Sequence, residues 1–180
     1  SAVLHLHASG FMHRDIKPAN IMLKGDGNGN SVLKLADFGL AISDIEWVHE
    51  YAGTVSYMSP EQLEDWCHDC CDVWAVGAVM YELLQLEDLI PDELDDEQDV
   101  LDYVWGDRFQ VLVNRASMVV EVSGQETQLL AGMLCLDWSK RFTAAEALDH
   151  VVFKSTDASS SRPLIIVLPV DDCRSCGFSS

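Results

Sequence analysis

A chain of 180 residues, 48% of them hydrophobic, can bury one substantial core and little more. Thirty acidic against 11 basic residues leave a net charge of −19; such a surface repels phosphate backbones, which excludes nucleic acid and favours basic peptides or basic protein surfaces. No apolar run approaches the roughly 20 residues that span a bilayer, so no membrane partner is expected.

Ala2 to Ser9 reads as the end of a helix, with Val3, Leu4 and Leu6 apolar and Gly10 placed to stop it. A loop then gathers His13-Arg14-Asp15, Lys17 and Asn20. Ile21-Met22-Leu23 and Val32-Leu33-Lys34-Leu35 are short strand patterns around a turn, Gly25 to Asn30, built of residues that tolerate positive φ. Asp37-Phe38-Gly39 follows the second strand. Asp26, Asn28, Asn30 and Asp37 fall at positions 1, 3, 5 and 12 of a calcium-loop register. Position 6 is Ser31 rather than glycine, and strands replace the flanking helices, so calcium is rejected there. The remaining pattern has a different use. Asp15, Asp37 and Asn20 offer oxygens to hard cations, and Lys17 offers a positive charge to a phosphoryl group. Together they suit a metal-bound polyphosphate.

The two motifs resemble the catalytic core of the eukaryotic protein kinases. His13-Arg14-Asp15 with Lys17 and Asn20 matches H-R-D-x-K-x-x-N, and Asp37-Phe38-Gly39 matches D-F-G, in the family's order and with Asp15 and Asp37 22 residues apart. Leu40 to Ser59 then corresponds to the activation segment. Its close, Gly53-Thr54-Val55-Ser56-Tyr57-Met58-Ser59-Pro60-Glu61, resembles G-T-x-x-Y-M-[SA]-P-E of serine/threonine kinases, with Ser59 where alanine is commoner. Asp72 to Leu84 is apolar nearly all round, as a central buried helix is. Its Asp72, Trp74 and Gly77 resemble the D-x-W-x-x-G helix that anchors the large lobe. Alone, Asp72 reads as an ordinary helix cap. After the two earlier motifs it reads as the acceptor of backbone N–H groups from the catalytic loop.

Leu86 to Asp102 holds nine acids and no base, either a surface for basic substrates or a solvated loop. The family's usual Gly/Pro/Phe stretch after the core helix is absent. Val104 to Val122 carries no clear pattern. Leu129, Leu130, Met133 and Leu134 recur at helical spacing within Glu126 to Leu136. Asp137 to Thr143 resembles the family's D-x-x-x-R-x-T close, which pairs Arg141 with Glu61. Ser155 to Ser161 reads as a polar linker, Pro163 to Val170 as a short apolar segment, and 171–180 as a disordered tail. Six cysteines without a signal peptide favour free thiols and a reducing, cytoplasmic location. Cys67-x-x-Cys70 with Cys173-x-x-Cys176 is a weak zinc pattern, set against unpaired thiols.

The resemblance implies a mainly α (α+β) fold: a large helical C-lobe, residues 1–153, with a short β-hairpin at the catalytic loop, and a Ser-rich linker and tail at 154–180. It implies a serine/threonine protein kinase. Asp15 orients the substrate hydroxyl and accepts its proton. Lys17 lies against the γ-phosphate of ATP. Asn20 and Asp37 hold Mg2+. His13 is a packed structural residue. Lys17 and Thr54 select Ser or Thr as acceptor. Arg14 pairs with a phosphorylated activation segment, with Ser43, Tyr51, Thr54 and Ser56 as candidate sites, or with permanent charge from Asp44, Glu46 or Glu50. The Gly-rich loop, its lysine and the partner glutamate helix have no match, so an N-lobe is expected upstream of a chain read as a fragment, inactive by itself. The alternative is a truncated, inactive lobe that binds protein partners through its acidic face.

Overall fold

A computed structural model describes residues 1–25, 31–43, 49, 50, 52–91, 93, 94, 96–107, 109 and 124–154. Helix α1, Ala2–Ala8, turns its apolar side inward. Val3 and Leu6 pack on Ile16, Leu35 and Ala75. Gly10 closes it with φ +78°, a left-handed conformation that costs glycine nothing. A single 3-10 turn, Pro18–Asn20, opens on proline, whose missing N–H would be unpaired there in any case. Strands β1, Ile21–Gly25, and β2, Ser31–Leu35, pair antiparallel in the register Ile21↔Leu35 to Gly25↔Ser31. The turn between them lies outside the described residues beyond Gly25.

Helix α2, Pro60–Leu63, is one turn long, and the Ser59 hydroxyl accepts from the N–H of Gln62 at its start. Helix α3, Cys70–Gln85, is the longest element among the described residues. It begins two residues before the predicted Asp72, which therefore sits in the first turn rather than at the cap. Trp74 is fully buried, stacked on Phe109 at 5.6 Å, and shares its cluster with Tyr81, Ile90, Leu130 and Leu134. Gly77 is needed for close approach: a Cβ there would stand 2.9 Å from Leu134 Cδ2.

Helix α4, Glu97–Trp105, occupies the end of the acidic stretch. Asp96 caps it, accepting from the N–H groups of Gln98 and Asp99, and Glu97 and Asp99 suit the positive end of the helix dipole. Val100 and Val104 anchor it in the core. Helix α5, Gly124–Met133, stops earlier than the predicted Leu136, because the chain bends so that Phe142 N–H reaches the Gly132 carbonyl at 3.0 Å. Leu134 is buried all the same. Helix α6, Ala144–Asp149, starts at a capping box in which Thr143 and Glu146 exchange hydrogen bonds. Among the described residues the fold is mainly helical with one two-stranded sheet, as expected. No described helix is long and apolar enough to cross a membrane. From residue 155 onward the linker and tail lie outside the described residues.

Candidate active site

The site is built on the loop between α1 and β1 and on the segment that ends at α2. Its foundation is Asp72, which is 1% exposed. A buried carboxylate is costly without donors. Asp72 has three: Oδ2 accepts from His13 N–H at 2.8 Å and contacts His7 Nε2 at 2.9 Å, and Oδ1 accepts from Arg14 N–H at 2.8 Å. This grip holds Arg14 at φ 67°, a left-handed conformation that non-glycine residues adopt at a cost of order 1 kcal/mol.

The bend brings four predicted residues together. Thr54 donates its hydroxyl to Asp15 Oδ1 at 2.7 Å. Lys17 Nζ lies 2.7 Å from Thr54 Oγ1 and 2.9 Å from Asp15 Oδ2. Asn20 Nδ2 donates to the Asp15 carbonyl at 2.8 Å and to its Oδ2 at 3.0 Å. Burial by itself raises the Asp15 pKa; the hydrogen bonds from Lys17, Thr54 and Asn20 and the Lys17 charge reverse this and hold the carboxyl below its ordinary value. His13 is fully buried, with Nε2 3.0 Å from the Ala36 carbonyl and its ring edge-on to Phe38, so it packs the loop rather than facing a substrate.

Asp37 arrives by the hairpin register. Ile21 faces Leu35, and Ala36 N–H donates to the Asn20 carbonyl at 2.9 Å, so Asn20 and Asp37 lie at one end of the sheet. Asp37 is exposed, at φ 58°, with Oδ1 accepting from Gly39 N–H at 3.2 Å. Among the described residues, no hydrogen bond or ion pair joins its carboxylate to the Asp15 cluster. The donor set fits a hard cation: Asn20 commits its nitrogen to Asp15, which leaves the amide oxygen, and Asp37 presents a carboxylate to solvent.

Arg14, Glu61 and Arg141 form the surrounding frame. Arg14 Nε donates to the Leu40 carbonyl at 2.7 Å, and its Nη1 pairs with Glu50 at 2.8 Å. Arg141 forks onto Glu61, with Nη2 2.9 Å from Oε2 and Nη1 bonded to Oε1. It also donates to the carbonyls of Cys135 and Cys70 and lies 5.0 Å from the Trp74 ring centre. Burial disfavours the Arg141 charge, but Glu61 more than offsets this and its pKa is raised.

Gln62 was not singled out in the sequence. Its Nε2 donates to the carbonyls of Arg14 at 3.2 Å and Ala52 at 2.6 Å, clamping the loop after α1 to the segment that ends at α2. Only its place beside Glu61 hinted at this. Of the candidate phosphorylation sites, Tyr51 lies outside the described residues, as do Asp44 and Glu46. Cys67, Cys70, Cys71 and Cys135 are free thiols. Glu61, Cys70 and Cys71 lie close enough to share a metal, but Glu61 is already taken by Arg141. Cys173 and Cys176, the other half of the zinc pattern, lie outside the described residues.

Comparison with known proteins bears on this geometry directly. The family model for the protein kinase domain matches residues 1–153. Mitogen-activated protein kinase 14 of Xenopus laevis is 31% identical over 184 residues, covering 89% of this chain and 50% of that protein. A serine/threonine-protein kinase of Drosophila persimilis is 35% identical over 163 residues, covering 83% of this chain and 20% of that protein. One of Drosophila melanogaster is 34% identical over the same length and coverage. The chain thus spans half the length of the first relative and a fifth of the other two.

Proposed function

This chain belongs to the protein kinase family, and from that premise we propose that it is the large lobe of a serine/threonine kinase that transfers the γ-phosphate of ATP to hydroxyls of protein substrates. The observation that carries the reading is the triangle of Asp15, Lys17 and Thr54. The Thr54 hydroxyl already rests on Asp15 Oδ1 at 2.7 Å, with the Lys17 ammonium 2.7 Å from the hydroxyl oxygen and 2.9 Å from Asp15 Oδ2. A substrate Ser or Thr hydroxyl presented to that carboxylate meets an acceptor for its proton beside a cation suited to phosphoryl oxygens. Asp15 aims the hydroxyl and takes its proton as the new O–P bond forms and the bond from the γ-phosphorus to the bridging oxygen breaks, releasing ADP. Lys17 offsets charge on the transferring group. Asn20 and Asp37 would hold Mg2+, which when bound neutralises phosphate charge. The rest of the nucleotide site is assigned to a small lobe upstream. The competing reading, an inactive acidic binding module, has no use for the Asp15–Lys17–Thr54 contacts.

The test uses the native protein that contains this chain, with ATP, Mg2+ and a peptide mixture presenting Ser, Thr and Tyr in basic surroundings. Label on Ser and Thr, lost on chelating magnesium, is the expected result. Label on Tyr alone, or none in any mixture, would overturn the proposal.

Regulation follows from Arg14. Its side chain is 4% exposed, and a buried guanidinium needs a counter-charge. Glu50 supplies one from the activation segment. On this reading the segment is held by a carboxylate and needs no phosphate. Phosphatase treatment is expected to leave activity unchanged, whereas Glu50→Gln should lower it several-fold. Because Glu50 is 59% exposed, and glutamine still offers an oxygen to Arg14, which also keeps its bond to the Leu40 carbonyl, the same change should cost about 1 kcal/mol of stability. Loss of activity on dephosphorylation would defeat this assignment.

A further inference from the structure

Away from the transfer site, a surface groove of about 790 Å³ runs between the end of α4 and the turn after α5. Trp66, Trp105 and Trp138 wall it, with Leu136 between them and Glu64 and Asp137 among its lining. The three tryptophans are 45%, 56% and 44% exposed, although tryptophan is highly buried on average. Trp66 also meets the His49 ring edge-on at 4.1 Å.

Charge selects the occupant. Every charged side chain lining the groove, among the described residues, is an acid: Glu61, Glu64 and Asp137. Glu61 is held by Arg141 and Asp137 by Lys140 at 2.6 Å, which leaves Glu64 outside any ion pair among the described residues. The acidity continues along α4, where Glu97, Asp99 and Asp102 are exposed on the helix that ends at Trp105. An indole face carries partial negative charge and attracts cations, Arg above all. One layer inward, Arg141 already lies 5.0 Å from the centre of the Trp74 ring. Anionic lipids and acidic peptides would meet repulsion at the same rim.

We propose that this groove is a docking site for a basic peptide segment of a protein partner, with an arginine or lysine side chain seated among Trp66, Trp105 and Trp138 and its charge facing Glu64. Docking here does not depend on phosphoryl transfer, so either reading can fail without the other. The apolar walls take the alkyl stem, and the carboxylate and indole faces take the charged head. Neighbouring basic residues run along α4.

The test is calorimetric titration of the native protein, without nucleotide, with an acetylated Arg-Ala-Arg-Ala-Arg-Ala-Arg amide. It is done at 0.15 M salt, where diffuse attraction is screened beyond about 8 Å. Trp105→Ala is expected to weaken binding about tenfold, and Trp105→Phe, which keeps a weaker aromatic face, by less. Glu64→Gln should also weaken it. Trp105 is more than half exposed, so its substitution should leave the thermal midpoint in place, which circular dichroism checks. Equal affinity for wild type and Trp105→Ala would mean general attraction to an acidic surface, and would overturn the site. Absence of peptide binding, or displacement of the peptide by dodecanoate at low concentration, would overturn it as well.

Discussion

Asp15→Asn is expected to cut kcat about a thousandfold while leaving the fold intact, in the middle of the range for loss of a positioned proton acceptor. Asparagine matches the carboxylate in shape. It can still meet Thr54 at 2.7 Å and Asn20 at 3.0 Å, but it cannot take a proton or balance Lys17 at 2.9 Å. Steady-state kinetics on the native protein measures the loss, and thermal unfolding shows whether the fold is retained. Activity within tenfold of wild type would remove Asp15 from the role given to it. The depressed Asp15 pKa adds a pH argument. The carboxyl gains stability from its partners when ionised, so that contribution is present above the ordinary value of 3.8 and lost as pH falls through the lower folded value. The stability difference between wild type and Asp15→Asn should therefore shrink in strong acid.

Arg141→Ala is expected to be the most damaging change to stability. Arg141 has no exposed side-chain surface, and it ties α2, the start of α3 and the turn after α5 through Glu61, Cys70 and Cys135. Truncation leaves the Glu61 carboxylate buried without its partner, a loss of about 3–5 kcal/mol. For a domain of this size that lowers the thermal midpoint by roughly 10 °C. The cause is the orphaned charge more than the lost attraction. Arg141→Met combined with Glu61→Leu should consequently recover much of the loss, as buried ion pairs replaced by apolar residues often do. A double variant as unstable as Arg141→Ala would place the cost in the hydrogen bonds to Cys70 and Cys135 instead. An unchanged midpoint in Arg141→Ala would dismiss the bridge as a stabilising element.

The chemistry was legible in the sequence because it is local. Asp15, Lys17, Asn20 and Asp37 fall within 23 consecutive residues, and a strand-turn-strand pattern explains how the last returns to the first. The partnership of Glu61 with Arg141 was legible only through family resemblance, since 80 residues separate them. The Arg14–Glu50 pair was one of three charge partners that family resemblance offered, whereas Gln62 and His7 show the limit. Each is defined by a contact across tens of residues, and no spacing rule encodes such a contact. Helix α4 was obscured for a different reason. Its outward face is so acidic that the two core positions, Val100 and Val104, were a faint helical signal, though four residues apart on one side. The groove tryptophans belong to three separate segments, so sequence alone gave no reason to group them.

The grip of Asp72 on His13 and Arg14 has a consequence for how the molecule is made. Asp72 follows those residues by 59 and 58 positions. At a ribosomal rate of about 5–20 residues per second, the loop after α1 waits roughly 3–12 s for its anchor to be synthesised. Arg141, which secures the segment next to α3, comes later still. Until Asp72 arrives, the left-handed bend at Arg14 lacks the carboxylate that grips its N–H, and the apolar side of α1 has no Ala75 to cover it. The nascent chain therefore leaves the loop after α1 unformed while α1 is already exposed. That interval is when a folding helper that binds short apolar segments would matter most to this protein.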